Sequence, residues 1–76
     1  MSVNWNDLLI EITTFFENCE IKYKLAECVA SKDLKCLIDR ILTLLNNAEV
    51  RDFVITRLRK FPEIADAIRE RVSFKI

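Results

Sequence analysis

Residues 5–19 read WNDLLIEITTFFENC, and in this stretch Trp5, Leu8, Leu9, Ile12, Phe15, Phe16 and Cys19 recur at steps of three and four. A helix turns once every 3.6 residues, so that spacing gathers seven apolar side chains into one stripe. Asn4 stands just before the stripe, where its side-chain oxygen can accept from a free backbone N–H of the first turn. Asp7, three residues on, completes an analogue of a capping box. Ile10 falls off the stripe, so a second helix packed on the stripe would leave it uncovered.

The same reading extends outward. Asn18 tolerates the left-handed conformation that closes helices, and Lys22 interrupts the apolar seam beyond it. A break is therefore expected there, although no glycine or proline marks it. Ile21, Leu25, Cys28 and Val29 form a second, shorter stripe. Ser31 is the expected cap of a third helix, with Asp33 in its first turn, where the helix dipole favours negative charge. Leu34, Leu37, Ile38, Ile41, Leu42, Leu44 and Leu45 cover close to half of that helix, which suggests the most enclosed element. Asn46-Asn47-Ala48-Glu49 turns the chain, and Asn46 with Glu49 fits a capping box. Val50, Phe53, Val54, Leu58 and Phe61 then share a face that also carries Arg57, while Ile55 lies off it. Pro62 ends that helix and suits the first position of the next. Ile64, Ile68 and Val72 follow, with Ala65 and Ala67 permitting close approach. The tail, Ser73-Phe74-Lys75-Ile76, alternates apolar and polar residues.

The expected fold is all-α: one domain, residues 1–76, built as a compact bundle of about five short amphipathic helices at approximately 4–18, 20–30, 32–46, 48–60 and 62–72. Corners of only ~2–5 residues are needed to join them. A domain of this length buries only about 60% of its unfolded surface. Its 51% hydrophobic content is high for that size. Some of that apolar surface is therefore expected to face a partner or a second copy.

The chain has no glycine and no histidine. Phosphate loops and dinucleotide fingerprints need glycine, and histidine is the commonest acid–base catalyst and metal ligand. Carboxylate pairs such as Glu17 with Glu20, or Glu63 with Asp66, have the ordinary spacing of a solvated helix face. No enzyme, cofactor or metal is expected. Cys19, Cys28 and Cys36 are spaced by nine and eight residues, without the CxxC pattern of a metal site. Cys19 and Cys28 lie on apolar stripes and read as small buried hydrophobes. Cys36 points outward and is a candidate for reaction or an intersubunit bridge. The N-terminus shows no basic region or continuous apolar run, and no apolar run reaches the ~20 residues of a membrane span. Reduced thiols and a cytoplasmic location are the simplest expectation.

Twelve basic residues balance twelve acidic ones, but unevenly: the first twenty residues hold four acids and no base, and all six arginines lie at position 40 or beyond. Such a dipolar chain can associate head to tail. Arginine also suits interfaces, because its planar guanidinium stacks and pairs bidentately. The expected function is a non-enzymatic interaction, adaptor or regulatory module that engages a protein partner or its own copies. The candidate interface residues are Ile10, Cys36, Ile55, Arg57, Arg59, Phe74 and Ile76. The alternative is a small nucleic-acid-binding regulator that uses Arg51, Arg57, Arg59 and Lys60 on helix 48–60. The zero net charge and the acidic first helix run against it, so nucleic acid is not the expected partner and neither is a membrane.

Overall fold

The computed structural model describes residues 3–73. Five α-helices follow one another: α1 (Trp5–Phe15), α2 (Cys19–Ala30), α3 (Leu34–Thr43), α4 (Ala48–Thr56) and α5 (Pro62–Arg69), with a single 3-10 turn, Leu58–Lys60, between α4 and α5. There is no strand among the described residues. The all-α bundle is as the periodicity predicts. α1, α3, α4 and α5 are shorter than the segments their stripes delimit, whereas α2 begins one residue earlier than expected, at Cys19. Of the predicted tail, Phe74, Lys75 and Ile76 lie outside the described residues.

Four caps set the boundaries. The side-chain oxygen of Asn4 accepts from the Asp7 N–H at 3.1 Å, and that of Asn18 accepts from the Ile21 N–H at 3.2 Å. Asn18 therefore starts α2 and does not close α1, and the expected break falls at residues 16–18. Asp33, not Ser31, caps α3 by accepting from the Cys36 N–H at 3.1 Å. Asn47, not Asn46, caps α4 by accepting from the N–H groups of Glu49 and Val50 at 2.8 and 3.1 Å. Each such bond satisfies a helix-end donor that would otherwise lack a partner, and is worth about 1 kcal/mol. Pro62 opens α5, where its missing N–H costs nothing.

Ser31 instead belongs to the end of α2. Lys32 takes the left-handed conformation with φ 54°. Its N–H donates to the Val29 carbonyl, and the Asp33 N–H donates to the Cys28 carbonyl, both at 3.0 Å. This pair of bonds is a Schellman motif, in which one left-handed residue reverses the chain. The reversal brings Cys28 and Cys36 together as a disulfide with their Cα atoms 5.6 Å apart. Cys36 is thus tied within its own chain and does not stand outward as a reactive thiol. Closing so short a loop in the unfolded chain contributes about 2–3 kcal/mol on the chain-entropy account. Cys19 is also not where its stripe placed it. Because α1 stops at Phe15, Cys19 becomes the first residue of α2 and is an exposed, free thiol.

The core draws on every element. Leu8 and Ile12 of α1 meet Leu25 and Cys28 of α2, Leu37 and Ile41 of α3, Phe53 and Val54 of α4, Leu58 of the 3-10 turn, and Ile64 and Ile68 of α5. The expectation that α3 is the most enclosed helix fails: Leu34, Leu42, Leu44 and Leu45 are only half-buried, whereas Val50, Phe53 and Val54 of α4 are fully buried. The wide leucine stripe overestimates burial because α3 ends at Thr43, so Leu44 and Leu45 leave the helical face. No polar or charged residue is buried among the described residues. The Cα radius of gyration is 11.0 Å, close to the roughly 11.4 Å of a compact domain of this length.

Candidate interaction groove

A groove of about 410 Å³ runs between the first half of α1 and the junction of the 3-10 turn with α5. The first wall follows from the α1 register. Leu8 and Ile12 point into the core, which turns Ile10 outward; it is 58% exposed. The second wall follows from Pro62. The chain must bend to enter α5, and Phe61 leaves the helical conformation at that bend (φ −128°, ψ 77°), with its side chain buried. Asn4 and Val3 close one end.

The two walls are joined by an ion pair. Lys60 Nζ lies 2.7 Å from Glu11 Oε2, with the Glu11 side chain 20% exposed and that of Lys60 60%. The pair is charge-assisted and short, yet its lysine stays in water, so it orients the rim more than it stabilises the fold. Asp7 and Glu63 add two further carboxylates to the lining. Among the described lining residues, Asp7, Glu11 and Glu63 carry carboxylates and Lys60 an ammonium, around an apolar surface of Ile10, Phe61 and Pro62. That combination suits a partner group that is both apolar and basic.

The sequence-derived interface residues do not form one patch. Ile10 lies in the groove, and Ile55 is half-buried on α4. Arg57 follows the end of α4 and sets its guanidinium 5.5 Å from the centroid of the Phe15 ring, a cation–π contact. Its place in an apolar stripe is thereby explained within the chain. Arg59 is exposed on the 3-10 turn, and Cys36 is in the disulfide. Phe74 and Ile76 lie outside the described residues.

The basic set of the alternative reading is also divided. Arg51 is on α4, which stops at Thr56, while Arg59 and Lys60 are on the 3-10 turn. The four cations do not share the single helical stripe that a recognition helix would present.

Residue-by-residue reading missed Asp7, Glu11, Phe61 and Pro62 as groove residues. It also passed over Tyr23, which is 73% exposed on α2. Tyr23 does leave a sequence signal, since it falls off the stripe of Ile21, Leu25, Cys28 and Val29. The Glu11–Lys60 pair, 49 residues apart, leaves none.

A second, shallower cleft of about 400 Å³ lies between α2 and α3. Arg40 occupies it, donating from Nη1 to the Lys24 carbonyl at 2.7 Å and to Glu27 Oε1 at 2.6 Å. Those bonds clamp α2 to α3, which is a structural role. Among the described residues no cluster of His, Cys, Asp or Glu has the arrangement of a metal site, and no helix is long and apolar enough to cross a membrane. No family model matches the chain, and neither a curated protein nor a solved structure matches it significantly.

Proposed function

We propose that this chain is a non-enzymatic interaction module whose contact surface is the groove between α1 and α5. The observation that carries this reading is Ile10. It is a large aliphatic side chain, more than half exposed, beside an apolar wall and inside an acidic rim. Solvent-facing isoleucine gains nothing for the fold, whereas its burial by a partner contributes about 1.5–3 kcal/mol to association. The module acts by occupancy: it binds a protein segment or a second copy, and the charged rim sets orientation.

The reading is tested with the immobilised domain and its Ile10→Asp variant. A protein retained by the first and lost from the second is purified and its binding measured directly; a loss of tenfold or more on substitution is expected. A domain that neither binds a purified partner in an Ile10-dependent way nor self-associates in sedimentation overturns it.

The cytoplasmic location expected from reduced thiols is at odds with the Cys28–Cys36 bond, which suits an oxidising compartment. In a reducing compartment the corner would rely on its Schellman hydrogen bonds and the Asp33 cap alone.

A further inference from the structure

We infer that the corner between α2 and α3 is a redox-sensitive device: a dithiol reductant opens the Cys28–Cys36 bond while the domain stays folded, and residues 30–36 then loosen. Beside their shared core contacts, α2 and α3 are tied twice among the described residues. One tie is the disulfide. The other is the Arg40 clamp, in which Nη1 donates to the Lys24 carbonyl at 2.7 Å and to Glu27 Oε1 at 2.6 Å. Lys24 precedes Cys28 by four residues and Arg40 follows Cys36 by four. The clamp therefore stands one helical turn further from the corner than the disulfide does, on the same faces of the two helices. Between the cysteines the corner has little else to hold it. No residue from 30 to 36 is fully buried. The Schellman bonds and the Asp33 cap lie at the surface, and Lys32 is held in the left-handed region. A segment with so few buried apolar contacts opens before the rest of its domain.

The two sulfurs differ in access: Cys28 is fully buried, whereas Cys36 keeps some exposed surface. An incoming thiolate, its proton released to solvent, therefore attacks Cys36 Sγ. The S–S bond breaks, its electron pair leaves on Cys28 Sγ, and a mixed disulfide joins the reductant to Cys36. Cys28 takes a proton from solvent. The second thiol of the reductant then attacks the reductant's own sulfur in the mixed disulfide, and Cys36 leaves with the electron pair and is protonated in turn. The dithiol ends as a disulfide, and two electrons and two protons end on the cysteines. A place for the reduced form already exists. Cys28 Sγ lies 3.7 Å from the Lys24 carbonyl oxygen. A disulfide sulfur has no proton to donate there; a thiol has one, and is a weak donor. Arg40 grips the same carbonyl. The reduced Cys28 thus stays as a small core hydrophobe beside the second tie, and the helix pair remains joined while its corner is released.

The test equilibrates the intact chain with dithiothreitol, traps free thiols by alkylation and counts the labels by mass spectrometry. One label, on Cys19, is expected without the dithiol and three with it. Exchange into oxidised dithiothreitol should restore the single label. Circular dichroism should keep its helical signal throughout. On reduction, hydrogen exchange should quicken at the Lys32 and Asp33 amides by about tenfold or more beyond any change at Phe53 and Val54 of α4. Cys36→Ser, at the less buried position, should show the fast corner with and without dithiol. Loss of the helical signal on reduction would make the bond a staple on which the whole fold depends, and overturns the inference. So does a bond that resists dithiol until denaturant is added, or one that oxidised dithiothreitol fails to form. Equal quickening at the corner and at α4, or a slow corner in Cys36→Ser, overturns it as well.

Discussion

The two ends of α1 meet the rest of the protein in different ways. At its C-terminal end, Phe15, Phe16 and Phe53 form a trio with ring centroids 5.0–5.2 Å apart. Arg57 covers Phe15, and the Glu49 carboxylate accepts the Glu17 N–H at 3.1 Å across the gap between α1 and α4. Every exit from that end is occupied by an aromatic face or a charge-assisted hydrogen bond. At the N-terminal end Leu8 still enters the core, but the outer face of the helix looks across a groove to the 3-10 turn and the start of α5, bridged by one ion pair whose lysine stays in water, with Ile10 exposed. One helix thus has a sealed end, where contacts hold the fold, and an open end, where surface is kept for something else. Contacts that stabilise are dense and shared among elements; contacts available for binding are sparse.

That contrast can be broken first at the sealed end. Phe53→Ala removes the ring common to two of the three aromatic contacts from a fully buried position, and is expected to cost about 3–5 kcal/mol in urea unfolding. A loss below about 1 kcal/mol would show that the aromatic trio does not hold the domain together. Glu49→Gln keeps an acceptor oxygen but removes its charge. About 1 kcal/mol should be lost, seen as faster hydrogen exchange at the Glu17 amide. At the open end, Ile10→Asp should leave unfolding within about 0.5 kcal/mol of wild type. A large destabilisation there would mean that the groove is part of the core, and the contrast between the ends would collapse.

Much of this architecture could be read from residue order, because helix periodicity and short polar caps are local signals. The break between α1 and α2 is legible in Asn18 and Lys22, although Asn18 caps the start of α2 and does not close α1. The corner at residues 31–33 is not legible. Ser31 and Asp33 are both good caps two residues apart, and what decides between them is the left-handed turn at Lys32, which no glycine announces. The Cys28–Cys36 pairing was hidden for the same reason, since that turn is what folds the two positions back on each other. In the groove, Ile10 was legible because it departs from its stripe. Its opposite wall was not, because Phe61 and Lys60 reach α1 only through the packing of three intervening helices, and nothing in their local sequence records that approach.

Lys32 carries one more consequence, for the variation this sequence can accept. A lysine in the left-handed region crowds its own Cβ, a strain of roughly 1 kcal/mol that glycine avoids. Most glycine substitutions in a helical domain loosen it. In a chain that has dispensed with glycine altogether, position 32 is the one described site with a positive φ, and so the place where restoring one would relieve strain. The absence of glycine is therefore not an optimum of stability. Other contacts at this corner, the disulfide and the Asp33 cap among them, are strong enough to hold a residue that the backbone alone would reject.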